Sequence, residues 1–148
     1  MIEQRRDLIG DDVSGHTPTV TFSRQLHKIR NTVHTRAVQP NTVIRAAALA
    51  LTHEPVPAEQ SVAGDPSTAA STLTDFGDLQ IGVWEMSVGT MTDVEADEVF
   101  VVLSGAATVK FADGTPALQL RAGDLGRLAA GAETTWTVTE TLRKIYLT

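Results

Sequence analysis

Beyond Asp75, apolar and polar positions of the chain alternate with the period of two that is typical of β-strands. Glycine turns such as Asp113-Gly114 and Gly123-Asp124 separate the alternating runs. The runs that predict strands are 79–88, 98–103, 106–111, 118–120, 125–128, 134–138 and 144–147. Seven short strands with almost no helix predict an all-β sandwich or a closed barrel.

The first part of the chain has a different pattern. Residues 1–36 keep neither a helical nor a strand period, and we predict a disordered arm there, with a short helix over 23–30 as the alternative. Residues 37–148 then form one domain. Within it, the apolar segment 43–51 predicts an edge strand or a short turn. The segment 61–74 is rich in Ser, Thr, Ala and Gly and is expected to be a surface loop.

Composition and charge narrow the classes of function. No apolar run in the 148 residues approaches the roughly 18 needed to cross a bilayer, so we expect no membrane partner. The chain shows no secretory signal pattern and has no cysteine, which predicts a cytoplasmic protein. A formal charge of -6 and a pI near 5.1 repel a phosphate backbone, so we expect no nucleic-acid partner.

Spaced glycines and acidic residues carry a family resemblance. The spacing of Gly89, Glu98, Gly105, Gly123-Asp124 and Gly131 resembles the two motifs of the cupin superfamily. The likeness is greatest to the small single-domain cupin_3 type, which is related to the cupin domain of (S)-ureidoglycine aminohydrolase. It covers about residues 62–148 and implies an all-β cupin-type barrel, or jelly roll. The supporting stretches are 82–85, 97–98, 102–105, 123–124, 136–138 and 143–146.

The histidines of metal-binding cupins are missing from these motifs. The family pattern has a His-x-His pair and a Glu in the first motif and a third His in the second. Here the resemblance puts Thr134 at the third position, and the pair falls on 91 and 93 or on 92 and 94. All four histidines precede the motifs, and they are His16, His27, His34 and His53. We therefore predict no bound metal and no cofactor.

An acidic cluster near the first motif offers only oxygen ligands. It consists of Asp93, Glu95, Asp97 and Glu98. Such a set suits Mg²⁺, Ca²⁺ or Mn²⁺ better than Zn²⁺ or Fe²⁺. Along a regular strand, Glu95 and Asp97 would share a face that excludes Glu98. The alternative to an ion site is an acidic turn at the rim of the barrel.

Glu98, Lys144 and Tyr146 are the candidate catalytic residues. Glu98 shares a strand face with Phe100 and Val102, and a carboxylate inside the barrel can act as a general acid or base. The alternative is that Glu98 only pairs with Lys144 or caps a turn. Lys144 and Tyr146 share a face of the last strand, where they can supply a nucleophile and a hydrogen-bond donor or form a solvated edge. Motif spacing and strand parity allow Glu98 and Lys144 to point into one pocket from different strands.

The aromatic residues are the candidate ligand-binding groups. Trp84 and Trp136 lie on predicted strands, where they either stack on a planar ligand or pack the core. Trp136 has the same strand parity as Thr134, which indicates the barrel interior. We predict that Trp84, Phe100, Thr134 and Trp136 contact a ligand.

These residues favour a metal-independent cupin that binds or transforms a small polar or nitrogenous metabolite. The alternatives are a metal-dependent aminohydrolase-like cupin enzyme and a non-catalytic sensing or binding module. An open strand edge near Val43 needs to be covered, and small cupin barrels pair through their outer strands. We therefore also predict a homodimer.

Overall fold

The computed structural model describes residues 37–148, and these residues form an all-β fold, as the sequence predicted. A single turn of 3-10 helix, Ala46–Ala48, precedes the strands, and no helix within 37–148 is long and apolar enough to cross a membrane. The predicted arm over 1–36 lies outside the described residues. The strands are β1 Glu54–Pro55, β2 Ser61–Ala63, β3 Ser67–Phe76, β4 Leu79–Met86, β5 Gly89–Val94, β6 Glu98–Phe111, β7 Leu118–Arg121, β8 Leu125–Leu128 and β9 Glu133–Leu147.

The sheet curls into a barrel because its two longest strands, β6 and β9, change neighbours along their length. They pair with each other in antiparallel register. On its other side, β9 pairs with β5 through its first half and with β4 through its second half. On the side away from β9, β6 pairs first with β8 and then with β7. Alternate residues of these strands therefore face a common interior.

A β-bulge in β6 shifts which residues face the interior. Phe100 and Val102 are buried before the bulge, whereas Ala107 and Val109 are buried after it. The buried positions thus change from even to odd numbers across Gly105, which has a φ of 89°. A bulge adds one residue to one strand, so the next residues present the opposite face.

Two pairs of predicted short strands are in fact single long strands. The predicted strands 98–103 and 106–111 are joined in β6, because Gly105 between them lies in a bulge of the continuous strand and not in a turn. The predicted 134–138 and 144–147 are joined in β9. The residues between them include Thr139 and Thr141, whose β-branched side chains favour extended backbone.

The prediction of a surface loop over 61–74 was wrong, because this segment holds β2 and most of β3. Ala69, Ser71 and Leu73 are buried, so the segment keeps the period of two although its residues are small or polar. The edge strand considered for 43–51 is also absent. That segment contains the 3-10 turn, and Val43 is exposed rather than part of an open edge.

The interior combines an apolar core with a polar site. The core residues are Val56, Met86, Met91, Phe100, Val102, Ala107, Val109, Leu120, Leu128, Trp136, Val138, Leu142 and Tyr146. Glu95, Glu98 and Lys144 are buried beside this core, although ionised side chains are seldom buried without partners. Their partners define the candidate site.

Candidate functional site

Lys144 and Glu98 form an ion pair in the barrel interior. The Lys144 Nζ donates a hydrogen bond to Glu98 Oε1, and less than a tenth of either side chain is exposed. Lys144 pairs across the sheet with Val102, which lies on the same face of β6 as Glu98. Motif spacing and strand parity allowed these groups to point into one pocket, and the structure brings them together.

Three aromatic rings surround the Lys144 ammonium. Its Nζ lies 5.0 Å from the ring centroid of Trp84, 4.9 Å from that of Phe100 and 5.1 Å from that of Trp136. The two indoles are themselves 5.6 Å apart and tilted. A cation within about 6 Å of a ring face is attracted by its quadrupole. The Lys144 charge is therefore balanced by one carboxylate and three rings.

Glu95 belongs to the same interior and was not among the predicted site residues. Its Oε1 accepts hydrogen bonds from Trp136 Nε1 at 2.8 Å and from Thr134 Oγ1 at 2.5 Å. The Glu95 N–H donates a hydrogen bond to the Ala132 carbonyl, and the Glu95 carbonyl accepts one from the Gly131 N–H. Glu95 thus orients the indole of Trp136 and the hydroxyl of Thr134.

The alternative of an exposed acidic turn was wrong for Glu95 and Glu98, which are buried, whereas Asp97 is exposed. β5 ends at Val94 and β6 begins at Glu98, so the residues between them do not alternate as they would along one strand. Glu95 and Glu98 consequently both face inward. Trp136 and Thr134 were expected in the interior, where the indole N–H and the hydroxyl each need a hydrogen-bond acceptor. That requirement was the sequence feature that could have pointed to a nearby carboxylate such as Glu95.

Tyr146 lies beside Lys144 on β9 with its hydroxyl packed against Gly82. This hydroxyl makes no hydrogen bond of normal geometry within the described residues. Burial raises the pKa of Tyr146, the Thr72 hydroxyl lowers it in part, and the charge of Glu98 raises it further. The phenol is therefore a neutral donor near Glu98 at physiological pH.

A second polar cluster, on the outside of the sheet, connects the segment that precedes β1 with strands β3, β4 and β9. Glu85 accepts hydrogen bonds from Arg143 Nε at 2.5 Å and contacts His53 Nε2 at 2.7 Å. Arg143 also donates to the Ala46 carbonyl, and His53 Nδ1 lies 2.9 Å from Ser67 Oγ. His53 is thus engaged outside the interior. Within residues 37–148, no group of three or more His, Cys, Asp or Glu side chains is arranged to hold a metal ion.

This outer cluster makes stability depend on pH. Burial alone would raise the pKa of Glu85, but hydrogen bonds and charges from Arg143 and His53 lower it below its ordinary 4.5. A lowered pKa in the folded state adds stability above pH 4.5, and this stability is lost as the pH falls through the folded value. We expect Glu85→Gln to lower the free energy of unfolding at pH 7 by about 1.5–3 kcal/mol.

Denaturant unfolding at several pH values tests this expectation. Below pH 4.5, stability should fall more steeply for the wild type than for Glu85→Gln. The exposed Glu59→Gln is the matched control and should follow the wild-type curve. Parallel curves for the wild type and Glu85→Gln would show that Glu85 does not carry this dependence.

The antiparallel sheet curls around a buried polar interior, which is the architecture that the cupin resemblance implies. Residues 74–146 match the family described as the EutQ-like cupin domain, Cupin_3. This match supports the resemblance on which the fold was predicted, while the finer relationship to ureidoglycine aminohydrolase stays a prediction. The chain has no significant match among curated proteins.

Two solved structures illustrate the similarities of this chain to known proteins. A protein of unknown function from Pseudomonas syringae pv. tomato, of the DUF861 family, is 24% identical with a TM-score of 0.54, covering 68% of this chain and 45% of that one. The Clostridium difficile EutQ protein is 18% identical with a TM-score of 0.49, covering 64% of this chain and 78% of that one. At these identities, the first similarity supports the fold alone.

Proposed function

We propose that this protein is a metal-independent cupin that binds a small polar or nitrogenous molecule inside its barrel. The buried Lys144–Glu98 pair, surrounded by aromatic rings, is the observation that carries this proposal. Taking each ion out of water costs several kcal/mol, and an apolar pair of similar size is often as stable or more so. Since stability alone does not explain this buried ion pair, its presence supports a role in ligand binding or catalysis.

Each proposed site residue has a distinct part. Trp84, Phe100 and Trp136 offer ring faces to a planar or cationic group. Tyr146 offers a buried hydroxyl that makes no hydrogen bond of normal geometry within the described residues. Glu98 supplies a carboxylate that accepts or returns a proton.

The other polar side chains of the interior limit the chemistry of the ligand. The Thr134 hydroxyl donates its hydrogen bond to Glu95 and thereby helps to hold the Glu95 carboxylate in place. The buried interior holds two carboxylates, Glu95 and Glu98, and one ammonium, Lys144. The interior therefore favours a neutral or cationic ligand over an anion.

The metal-dependent alternative has less support from the side chains at the expected ligand positions. Thr134 bonds to Glu95, and Met91 is buried in the apolar core. A thioether and a hydroxyl are weak ligands for the metals that imidazole holds in this class of site. A sensing module would use the same interior, and turnover of a bound compound separates it from an enzyme.

A thermal-shift screen of amines, ureides, amides and aldehydes tests the proposal. A compound present at 100 times its Kd stabilises the fold by about 2.7 kcal/mol, which raises the midpoint of a domain of this size by roughly 5–10 °C. We expect Trp84→Leu to abolish the shift, because its ring contacts the Lys144 ammonium. Phe76→Leu, at an exposed position of β3, is the control and should keep it.

Two outcomes of the screen would contradict a binding interior. One is that no compound of these classes stabilises the wild type. The other is that the compounds which do so stabilise Trp84→Leu equally well.

The predicted homodimer also stays a proposal. Val99 and Leu125 leave apolar side chains exposed on neighbouring strands of the outer surface, β6 and β8. A second copy of the chain would remove these side chains from water.

A further inference from the structure

We infer that Lys144 forms a reversible imine with a small aldehyde, so that carbonyl compounds are the substrate class of the interior. This inference rests on the proposed small-molecule function and names its chemistry. The chain has three lysines, Lys28, Lys110 and Lys144. Of the two in the described residues, Lys110 is exposed and only Lys144 is buried.

The first requirement for imine formation is a proton acceptor at the amine, because only the neutral amine attacks a carbonyl. Glu98 is hydrogen-bonded to Lys144 Nζ and meets this requirement without a water molecule. The pair is nearly excluded from solvent, so the proton moves between two groups that are already in contact.

The chemical step balances within the site. Lys144 passes one proton to Glu98, and its electron pair forms a bond to the carbonyl carbon. A second proton moves from the nitrogen to the carbonyl oxygen and gives a carbinolamine. Glu98 then returns its proton to that hydroxyl, which leaves as water while the C=N bond forms. Nothing is oxidised or reduced, and the product is a cationic iminium beside the Glu98 carboxylate.

The surroundings of Lys144 suit this product. The iminium carries the same positive charge as the ammonium that it replaces, so it keeps the Glu98 partner and the three ring contacts. Water is largely excluded, which opposes hydrolysis of the product. Because Lys144 is only 5% exposed, the carbonyl compound has to be small.

The charges of the interior also select among carbonyl compounds. Glu95 and Glu98 together outnumber the one ammonium, so an anionic oxo acid would add a third negative charge to the site. A neutral aldehyde adds none. We therefore expect propionaldehyde to react in preference to glyoxylate.

Reductive trapping tests the inference on the full-length protein. Folded protein is treated with limiting propionaldehyde and cyanoborohydride, which reduces an iminium to a stable propylamine, and the modified lysine is located by peptide mass spectrometry. We expect Lys144 to be propylated faster than Lys110, and the preference to disappear in urea. The comparison is internal to the wild type, so it does not depend on a variant folding.

Variants then separate the roles of the two groups. Glu98→Gln should slow propylation of Lys144 by on the order of 10²-fold, the usual contribution of a positioned proton acceptor. Lys144→Arg should abolish the interior modification. Lys110→Arg should leave the rate at Lys144 unchanged.

Propylation of Lys144 no faster than that of Lys110 in the folded protein would overturn the imine inference. If screened compounds still stabilise the protein through Trp84, the small-molecule function stands and only the imine chemistry fails. If the screen is also negative, both proposals fail.

Discussion

Replacing either Glu98 or Lys144 alone should destabilise the barrel by about 3–5 kcal/mol, and replacing both should cost less than the sum. Glu98→Gln leaves the Lys144 ammonium in the interior without its carboxylate, and Lys144→Met leaves the Glu98 carboxylate without its ammonium. The double variant leaves no charge of this pair behind. It should therefore recover part of the stability that each single variant loses.

Denaturant unfolding of the four proteins in this cycle measures the coupling between the two side chains. A matched cycle on the exposed residues Glu140→Gln and Lys110→Met should be additive, because surface charges are solvated separately. Additivity within about 0.5 kcal/mol for Glu98 and Lys144 would contradict a desolvated pair. The proposed site would then lose the observation that carries it.

Gly105→Ala should be among the most damaging single substitutions in the domain. A Cβ at this position would overlap the carbonyl oxygen of Thr141 on the neighbouring strand β9. The backbone of β9 cannot move away without breaking the ladder on both sides of the bulge. We expect a loss of more than about 4 kcal/mol, which is beyond the effect of most point substitutions.

Gly114→Ala is the control that separates the clash with Thr141 from the cost of the left-handed backbone conformation. Gly114 has a φ of 85°, close to the 89° of Gly105, but a Cβ added there meets nothing within 4 Å. It should cost only about 1–2 kcal/mol for the left-handed backbone. Thermal or denaturant unfolding compares the two variants. Equal losses would mean that the bulge tolerates a side chain and that only the backbone conformation matters.

Local patterns were sufficient for much of the fold. The strand predicted over 125–128 has the same bounds as β8, Leu125–Leu128. The alternation of Glu98 and Phe100, and of Lys144 and Tyr146, predicted faces that the structure directs inward. In these cases the period of two acts over a few residues of one regular strand, so it needs no information from distant residues.

Patterns that depended on composition were less reliable. β3 was missed because its small and hydroxylated residues, such as Ala69 and Ser71, suggested a loop. Their burial comes from the strands that cover them and not from their own hydrophobicity. The bulge at Gly105 was interpreted as a break between two strands, since a glycine has the same local signature in a turn and in a bulge.

By itself, the sequence determined the all-β class, and its resemblance to cupins implied the barrel. Strand parity placed Glu98 on one face with Phe100, Lys144 on one face with Tyr146, and Trp136 on one face with Thr134. Only the tertiary structure decided that Glu95 joins them, and that Trp84 and Phe100 surround the lysine at about 5 Å. Strand parity acts between near neighbours in the chain. By contrast, Lys144 lies 46 positions after Glu98 in the chain, and such a contact is set by sheet closure and register.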